Sequence, residues 1–407
     1  MIKVLIDAVH LVNPFKDGCY RYVDEYVRVL QQESEECEWE IDLLLRDKLL
    51  PLGNYSEAVL RVFQRNPKYQ KFKEFVKKKI YNVSPFLFQC LKTAKRKVVG
   101  LLPARKERGI SFDRYDIVHI TVPSYYHLFK NVGSQTKIVM TIHDMSHLTV
   151  PHFHEPDNVR ETTRGVEFAV QKASKIITIS EYTKKEFLRF YPHYPDENVI
   201  PVYLGYDRKV FYPKRDPQKV QDIRRKYKIE NYKYILSVST LEPRKNLRNL
   251  IRAFDLFLQK SRASNVKLVL VGRTGWKIED LLNEIEGKDQ ILRTGHVPDE
   301  DLAPLYSEAL MFCYVSFYEG FGLPLLEAMA CGTPTLYADN TSMPEVVGDA
   351  GLPVKPDSVE DIADKMMIMY ENDNLRAELS KKGLNRCKNF SWEKHARKVL
   401  EVYSSLL

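Results

Sequence analysis

The sequence predicts an α/β protein of two doubly wound domains, each a largely parallel sheet with helices on both faces. Three observations carry that expectation. Short β-branched runs alternate with amphipathic helical stretches along the chain, which is the signature of repeated βαβ units. The chain has 407 residues, well beyond the usual length of one domain. The alternation pauses once, near Leu204-Gly205-Tyr206-Asp207, where Pro213 and Pro217 punctuate a polar stretch, and a hinge is expected there.

In the first domain, 1–205, the expected strands are 3–7, 40–45, 117–120, 138–142, 176–179 and 199–201. Helices fit between them, for example 18–32 and 180–190. In the second domain, 206–390, strands 234–238, 267–271, 291–294, 311–315 and 335–337 alternate with helices 246–260, 299–308, 323–330 and 359–370. The segment 391–407 reads as helical, opened by Ser391 as its cap, and is expected to join the first domain. In such sheets ligands bind beyond the carboxyl ends of the strands, and with two domains the natural site is the cleft between them.

Composition narrows the class. Hydrophobic residues make up 44% and charged residues 29%, the balance of a globular chain with sizeable cores. With 17 glycines the chain is too poor in Gly for a collagen-like or Gly-rich repeat fold. The opening Met1-Ile2-Lys3-Val4-Leu5-Ile6-Asp7 lacks the basic, long apolar and small-residue regions of a secretory leader. No apolar stretch approaches the roughly 18 residues needed to cross a bilayer. Six scattered cysteines without a Cys-x-x-Cys argue against a zinc ribbon or disulfide framework and fit a reducing cytoplasm.

The net charge of +8 is uneven: 61–108 alone holds 15 Lys/Arg against two acids, so the remainder of the chain is acidic. Apolar groups such as Phe72, Phe75, Phe86, Phe88 and Leu101 interleave with those cations. That alternation suits anionic lipid headgroups. It equally suits a solvated helical insertion packed on its own domain. Nucleic acid is not an expected partner, because no nucleic-acid motif accompanies the charge.

The most informative stretch is Phe317-Tyr318-Glu319-Gly320-Phe321-Gly322-Leu323-Pro324-Leu325-Leu326-Glu327-Ala328, after a strongly apolar strand. Gly320 and Gly322 permit a tight turn with close backbone approach. Pro324 suits a first helical turn, and the helix stops before Cys331-Gly332-Thr333-Pro334. Free N–H groups and the positive dipole end at such a turn suit a diphosphate. Glu319 and Glu327 flank that anion site and can accept hydrogen bonds from sugar hydroxyls. A second piece, Leu241-Glu242-Pro243-Arg244-Lys245-Asn246-Leu247, follows the first strand of the second domain. Its adjacent cations can neutralise a pyrophosphate, Arg244 by bidentate bonding and Lys245 as a compact charge. Read alone, it equally fits a capped helix start with exposed cations.

Together with Gly295-His296-Val297-Pro298 and Pro344-Glu345-Val346-Val347-Gly348, these motifs resemble glycosyltransferase family 4, densely in the second domain. The first domain resembles it more thinly, through Gly18-Cys19-Tyr20-Arg21-Tyr22, Thr141-Ile142-His143-Asp144 and 173–183. The resemblance implies a retaining enzyme of the GT-B fold, two facing Rossmann-like domains with a cleft between them, using a nucleotide-diphosphate sugar. It implies that Arg244 and Lys245 bind the donor diphosphate and stabilise the leaving charge, and that Glu319 holds donor-sugar hydroxyls near the reacting carbon. It further implies amides of Phe321, Gly322 and Leu323 on phosphate or sugar, Glu327 on the ribose, and the 295–298 loop with Val297 beside the base. Gly18 would let the first loop approach the phosphates, and His143 would sit near the transferred sugar. Two departures stand out: Tyr20 where many members have a second glycine, and Thr240 where many have arginine. The second puts more phosphate work on Arg244 and Lys245.

No cofactor and no metal are expected; the donor would be a GDP-sugar or UDP-sugar. Asp299-Glu300-Asp301 reads as an acidic helix start, not a metal-binding Asp-x-Asp. The histidines His143, His147, His152 and His154 lack an acidic or Cys complement at helical spacing and read as an active-site loop. The expected activity is metal-independent hexosyl transfer, with mannose as the best guess, to a glycan or lipid-linked acceptor of a surface polysaccharide. It would take place in the cytoplasm, with possible peripheral contact at the inner face of the membrane. A nucleotide-sugar 2-epimerase and a non-catalytic scaffold are the competing readings.

Overall fold

A computed structural model of the chain describes residues 2–12, 17–34, 39–45, 48–56, 110–213 and 216–407. The basic stretch 61–108, expected to meet a membrane or pack on its own domain, lies outside those residues, as do Cys37 and Cys90. The chain divides into two compact units, Met1–Val139 and Met140–Leu407.

The first unit contains β1 (Ile2–Asp7), β2 (Trp39–Leu45), β3 (Lys48–Pro51) and β4 (Ile117–Ile120). β1 runs parallel to β2 and to β4, with Val4 opposite both Ile41 and Ile117. β3 turns back antiparallel on β2, Leu43 facing Leu50. The sequence reading has no strand there, because a four-residue edge strand ending in proline shows no period. Helix Gly18–Glu33 begins as expected. Asp17 caps it by accepting from the Tyr20 N–H at 2.9 Å, and the buried stripe Tyr22, Val23, Tyr26, Val27 and Leu30 repeats at helical spacing. β1 ends on Asp7, whose carboxyl burial pushes up to about 7 against the pull of the Val9 N–H.

The boundary between units falls inside β5 (Lys137–Ile142). In the second unit β6 (Lys175–Thr178) and β7 (Val199–Pro201) pair in parallel, and helix Glu181–Phe190 follows β6. The other strands are β8 (Lys233–Val238), β9 (Val266–Val271), β10 (Ile291–Gly295), β11 (Met311–Tyr314), β12 (Thr335–Ala338) and β13 (Gly351–Val354). They form one parallel sheet in the order β10-β9-β8-β11-β12-β13. The chain builds outward from β8 to β10, then returns to lay β11 on the other side of β8. The carboxyl ends of β8 and β11 are therefore the switch point where loops diverge and a ligand can enter. Helix Leu247–Ser261 buries Leu250, Ile251, Phe254 and Phe257 against this sheet.

Besides β3, other elements differ from the sequence reading. The polar stretch around Pro217 is a helix, Pro217–Lys226, with proline at its first turn and Asp216 accepting from the Gln218 and Lys219 amides. It buries only Ile223, so it shows almost no apolar stripe. β13 holds Gly351 and Pro353, poor strand residues that an edge position tolerates. No helix among the described residues is long and apolar enough to cross a membrane.

The last helix, Trp392–Ser404, is capped by Ser391, which accepts from the Lys394 N–H. It rests on the 203–205 segment: His395 Nδ1 lies 3.0 Å from the Tyr203 carbonyl, and a Cβ on Gly205 would fall 2.2 Å from the Trp392 nitrogen. Both groups in that second contact are backbone, so neither can yield cheaply. Gly205→Ala is expected to destabilise the fold by about 1–3 kcal/mol or more, read as a lowered midpoint in thermal denaturation.

Candidate active site

The loop after β8 turns through a short 3-10 segment, Pro243–Lys245, and closes on Asn246 with a left-handed φ of 57°. Asparagine tolerates that conformation better than most residues. Its side-chain amide donates to the Val315 carbonyl at 2.9 Å, tying this loop to the end of β11. The Phe317 N–H donates to the Arg244 carbonyl at 2.9 Å. The two loops at the switch point are thus stitched together before any charged group is considered.

Across that seam lie two cations and two carboxylates. Arg244 donates from Nε and Nη2 to Glu242 Oε1 at 3.1 and 2.8 Å. Its Nη1 donates to the Tyr318 carbonyl at 2.7 Å and to Glu319 Oε2 at 3.2 Å. Lys245 Nζ donates to Glu319 Oε1 at 2.6 Å and to the Tyr314 hydroxyl at 3.3 Å. All four charged side chains are at most 14% exposed. Burial alone would raise the Glu319 carboxyl, but Lys245 and then Arg244 hold it below the usual carboxylate range. Burial likewise disfavours charge on Arg244, and the carboxylates of Glu319, Glu242 and Asp144 reverse that and raise it. Asp144, raised by burial, is brought below its ordinary value by Arg244 and by bonds from Ser146. Glu319, Arg244 and Asp144 are therefore ionised at neutral pH.

The turn that carries Glu319 is held by its backbone. The Glu319 N–H donates to Thr341 Oγ1 at 3.2 Å, and the Ser342 hydroxyl lies 3.0 and 3.1 Å from the Glu319 and Phe321 carbonyls. The Gly320 carbonyl accepts from Ser180 Oγ at 2.7 Å, with Thr183 Oγ1 at 3.3 Å. A Cβ on Gly320 would sit 2.0 Å from the His143 carbonyl. Gly322 has a left-handed φ of 103° and opens helix Leu323–Ala330, with Pro324 in its first turn. The first N–H groups of that helix have no partner inside it.

The structure therefore brings Arg244, Lys245, Glu319, the 321–323 turn and the His143 backbone to one place. Glu327 is buried in the same helix, near Tyr306, whose hydroxyl lies 3.1 Å from its Oε2. Val297 is 2% exposed and offers the 295–298 loop as backbone, its side chain being in the core. Gly18 belongs to the first unit, where an added Cβ would meet nothing within 4 Å. Asp301 is part of the acidic first turn of helix Asp299–Ser307 and is bonded to Lys226 and Tyr227. Burial drives His147 down to about 4, so it is neutral at physiological pH.

Sequence reasoning assigned no role to Glu242, Tyr314, Thr341 or Ser342. Glu242 sits inside a quoted motif, next to the cations it anchors. Tyr314 is the last residue of an apolar strand and looks like core until the fold lays Lys245 over its ring, 5.6 Å from the centroid. Phe153 stacks on Phe317 at 5.5 Å, and its carbonyl accepts from Trp276 Nε1 at 2.7 Å. Those two contacts fasten the histidine-rich loop to the seam.

Gly320→Ala is expected to push the Glu319 turn off the His143 carbonyl and lower kcat about 100-fold, the scale of a misplacement near 1 Å. Gly53→Ala, whose added Cβ would stand in open space, serves as the control with unchanged turnover.

Residues 219–386 match the family described as Glycosyl transferases group 1, and residues 64–210 match Glycosyltransferase Family 4. The chain is 36% identical over 273 residues to O-antigen chain mannosyltransferase B of Escherichia coli, covering 66% of this chain and 71% of that one. It is 29% identical over 276 residues to the Escherichia coli serotype-specific mannosyltransferase WbdA, but spans only 34% of that longer protein. Among solved structures, Anabaena HepE in complex with UDP and glucose superposes with a TM-score of 0.68 at 16% identity, over 100% of both chains. Sucrose-phosphate synthase from Thermosynechococcus elongatus gives 0.67 at 19% identity, over 100% of this chain and 99% of that one. These likenesses bear on fold, and they agree with the two largely parallel sheets in identifying the α/β GT-B architecture of Rossmann-like domains. The chain belongs to glycosyltransferase family 4 and is a nucleotide-sugar-dependent hexosyltransferase.

Proposed function

We propose that the chain transfers mannose, with retention of configuration and without a metal ion, to a glycan or lipid-linked acceptor of a surface polysaccharide. GDP-mannose is the leading donor and a UDP-sugar the alternative. The observation that carries this reading is the pairing of Arg244 and Lys245 with Glu319, at 3.2 and 2.6 Å, where the sheet order reverses. The likeness to O-antigen chain mannosyltransferase B supports mannose and a polysaccharide acceptor.

Glycosyl transfer from a nucleotide sugar must stabilise negative charge on the departing diphosphate and positive charge at the sugar carbon. Arg244 and Lys245 serve the first need, together with the amides of Phe321, Gly322 and Leu323 at the helix tip. The sugar–phosphate bond breaks with its electron pair going to the diphosphate. The acceptor oxygen bonds to the same face of the carbon, and its proton passes to the leaving phosphoryl oxygen. Glu319 supports the second need, holding sugar hydroxyls and supplying negative charge beside the carbon. His143 would flank the transferred sugar, Glu327 the ribose and the 295–298 loop with Val297 the base. Metal independence rests on the same cations, which meet the charge a metal would neutralise.

The local excess of cations in 61–108 supports peripheral contact with anionic lipid at the cytoplasmic face. A charge-reversed variant across Lys77–Lys79 is expected to lose binding to anionic vesicles, and equal binding would refute the contact.

The thermal denaturation midpoint is expected to rise with GDP or UDP; a ligand at 100 times its Kd adds about 2.7 kcal/mol. Lys245→Ala is expected to lower kcat by roughly 100–1,000-fold, the scale of losing one donor to a developing oxyanion. EDTA is expected to leave turnover intact, and the anomeric configuration of the product, read by NMR, is expected to match that of the donor. A strict metal requirement or an inverted product would overturn the mechanism.

A further inference from the structure

Tyr306 stands in the last turn of helix Asp299–Ser307 and is fully buried. Its ring meets Phe312 at 5.3 Å and Phe211 at 6.2 Å, edge-on at 71° and 73°, so the phenol has little room to swing. Its hydroxyl donates to Glu327 Oε2 at 3.1 Å, across to helix Leu323–Ala330. Thr333 fastens the two helices near their carboxyl ends: its N–H donates to the Ala328 carbonyl at 2.9 Å and its hydroxyl to the Tyr306 carbonyl at 2.7 Å. Tyr306 and Glu327 therefore meet between elements that are already tied together. A phenylalanine ring would fill the same space, and burying a hydroxyl costs free energy unless it is hydrogen-bonded. What the oxygen adds is a bond to Glu327.

We propose that Tyr306 is a positioning residue of the nucleotide subsite: its hydroxyl holds Glu327 through Oε2 and aims the carboxyl at the ribose hydroxyls, which makes the site selective for ribonucleotides. This rests on the donor-site reading above. Glu327 lies four residues beyond Leu323, about 6 Å along the helix axis, and helical side chains lean back toward the amino end. With a phosphoryl group on the first amides of that helix, the carboxyl stands about one sugar unit away. Glu327 is 2% exposed, so it offers a ligand only a narrow edge, and a turn of its side chain would point that edge into the protein. The bond from Tyr306 opposes that turn before the nucleotide arrives. Without it the carboxyl has to be ordered at the moment of binding, which lowers affinity. That loss falls only on nucleotides that carry ribose hydroxyls.

The test is Tyr306→Phe, which keeps the ring and removes one oxygen. Calorimetry on wild type and variant measures the binding of GDP and UDP, each beside its 2′,3′-dideoxy counterpart. Wild type is expected to bind its ribonucleotide about 10–100-fold more tightly than the dideoxy form, the scale of a hydrogen bond to a charged group. In Tyr306→Phe that ratio is expected to fall below about 5-fold, with the dideoxy form held within about 2-fold of wild type. In a Glu327→Ala background the same substitution is expected to cost less than about 2-fold, because the partner is already gone. A hydroxyl that served only the core would weaken both forms alike. An unchanged ratio, an equal loss for both forms, full additivity with Glu327→Ala, or failure of Tyr306→Phe to fold would each overturn the proposal. Wild type that binds ribo and dideoxy forms equally would overturn the ribose role of Glu327, and the proposal with it, while leaving the diphosphate site standing. Wild type that binds neither GDP nor UDP would instead overturn the donor-site reading itself.

Discussion

Two cations and two carboxylates buried side by side govern the switch point of the second unit's sheet. Removing ions from water costs several kcal/mol each even after relaxation, so Glu319, Arg244, Lys245 and Glu242 are tolerable together only because each is paired at close range. The pairing is also directional. Arg244 is planar, with five N–H donors in fixed positions, and four of them are committed to Glu242, Glu319 and the Tyr318 carbonyl. That leaves its plane little freedom. The guanidinium acts as a strut between the loop after β8 and the turn after β11, and it places Lys245 in the same operation.

A strut needs fixed ends, and here the backbone supplies them. Every turn residue from Tyr318 to Phe321 contributes a backbone group to a hydrogen bond, with partners drawn from Arg244, Thr341, Ser342 and Ser180. Ser180 is the cap of helix Glu181–Phe190, where it also accepts from the Thr183 N–H. Glu345 accepts from the Glu181 and Tyr182 amides at 2.7 and 3.1 Å, adding a carboxylate to the positive end of the same helix. One helix start therefore grips Gly320 on one side and the Glu345 helix on the other. The proposed role of Glu319 fits that redundancy: a carboxylate meant to face a developing positive carbon must not wander, because preorganised charge is effective only when no reorganisation accompanies the reaction.

Most of this architecture was legible in the sequence because it depends on local rules. Helix Leu323–Ala330 starts and stops where its Pro and Gly predict, and strands β8, β9 and β11 appear as short apolar runs with few interruptions. The doubled Glu, the Gly-x-Gly turn and the adjacent Arg and Lys were visible as types at spacings. Their mutual pairing was not. Arg244 and Glu319 are 75 residues apart, and only the sheet order, with β11 returning beside β8, makes them neighbours. The same limit hid Tyr314, since a tyrosine ending a buried strand is indistinguishable from core until the residue above it is known. Helix Pro217–Lys226 escaped for the opposite reason: it buries a single side chain, so its evidence lies in Asp216 and Pro217 at its start and not in a period.

The position of Thr240 gains meaning in this setting. A long cation there would add charge to the anion site from the end of β8. Instead Thr240 Cγ2 packs near Gly275, where an added Cβ would come within 3.1 Å, and the Leu241 carbonyl would be closer still at 2.5 Å. The loop after β9 is thus drawn tightly onto the loop after β8, and the next residue, Trp276, reaches the Phe153 carbonyl. In the proposed reaction, charge for the leaving group comes from the two cations already paired with carboxylates, each with one donor uncommitted among the described residues. Under the proposed function, such a site becomes selective by geometry, favouring a ligand that presents phosphoryl oxygens and sugar hydroxyls at once, because such a ligand would satisfy the donors and the carboxylate together.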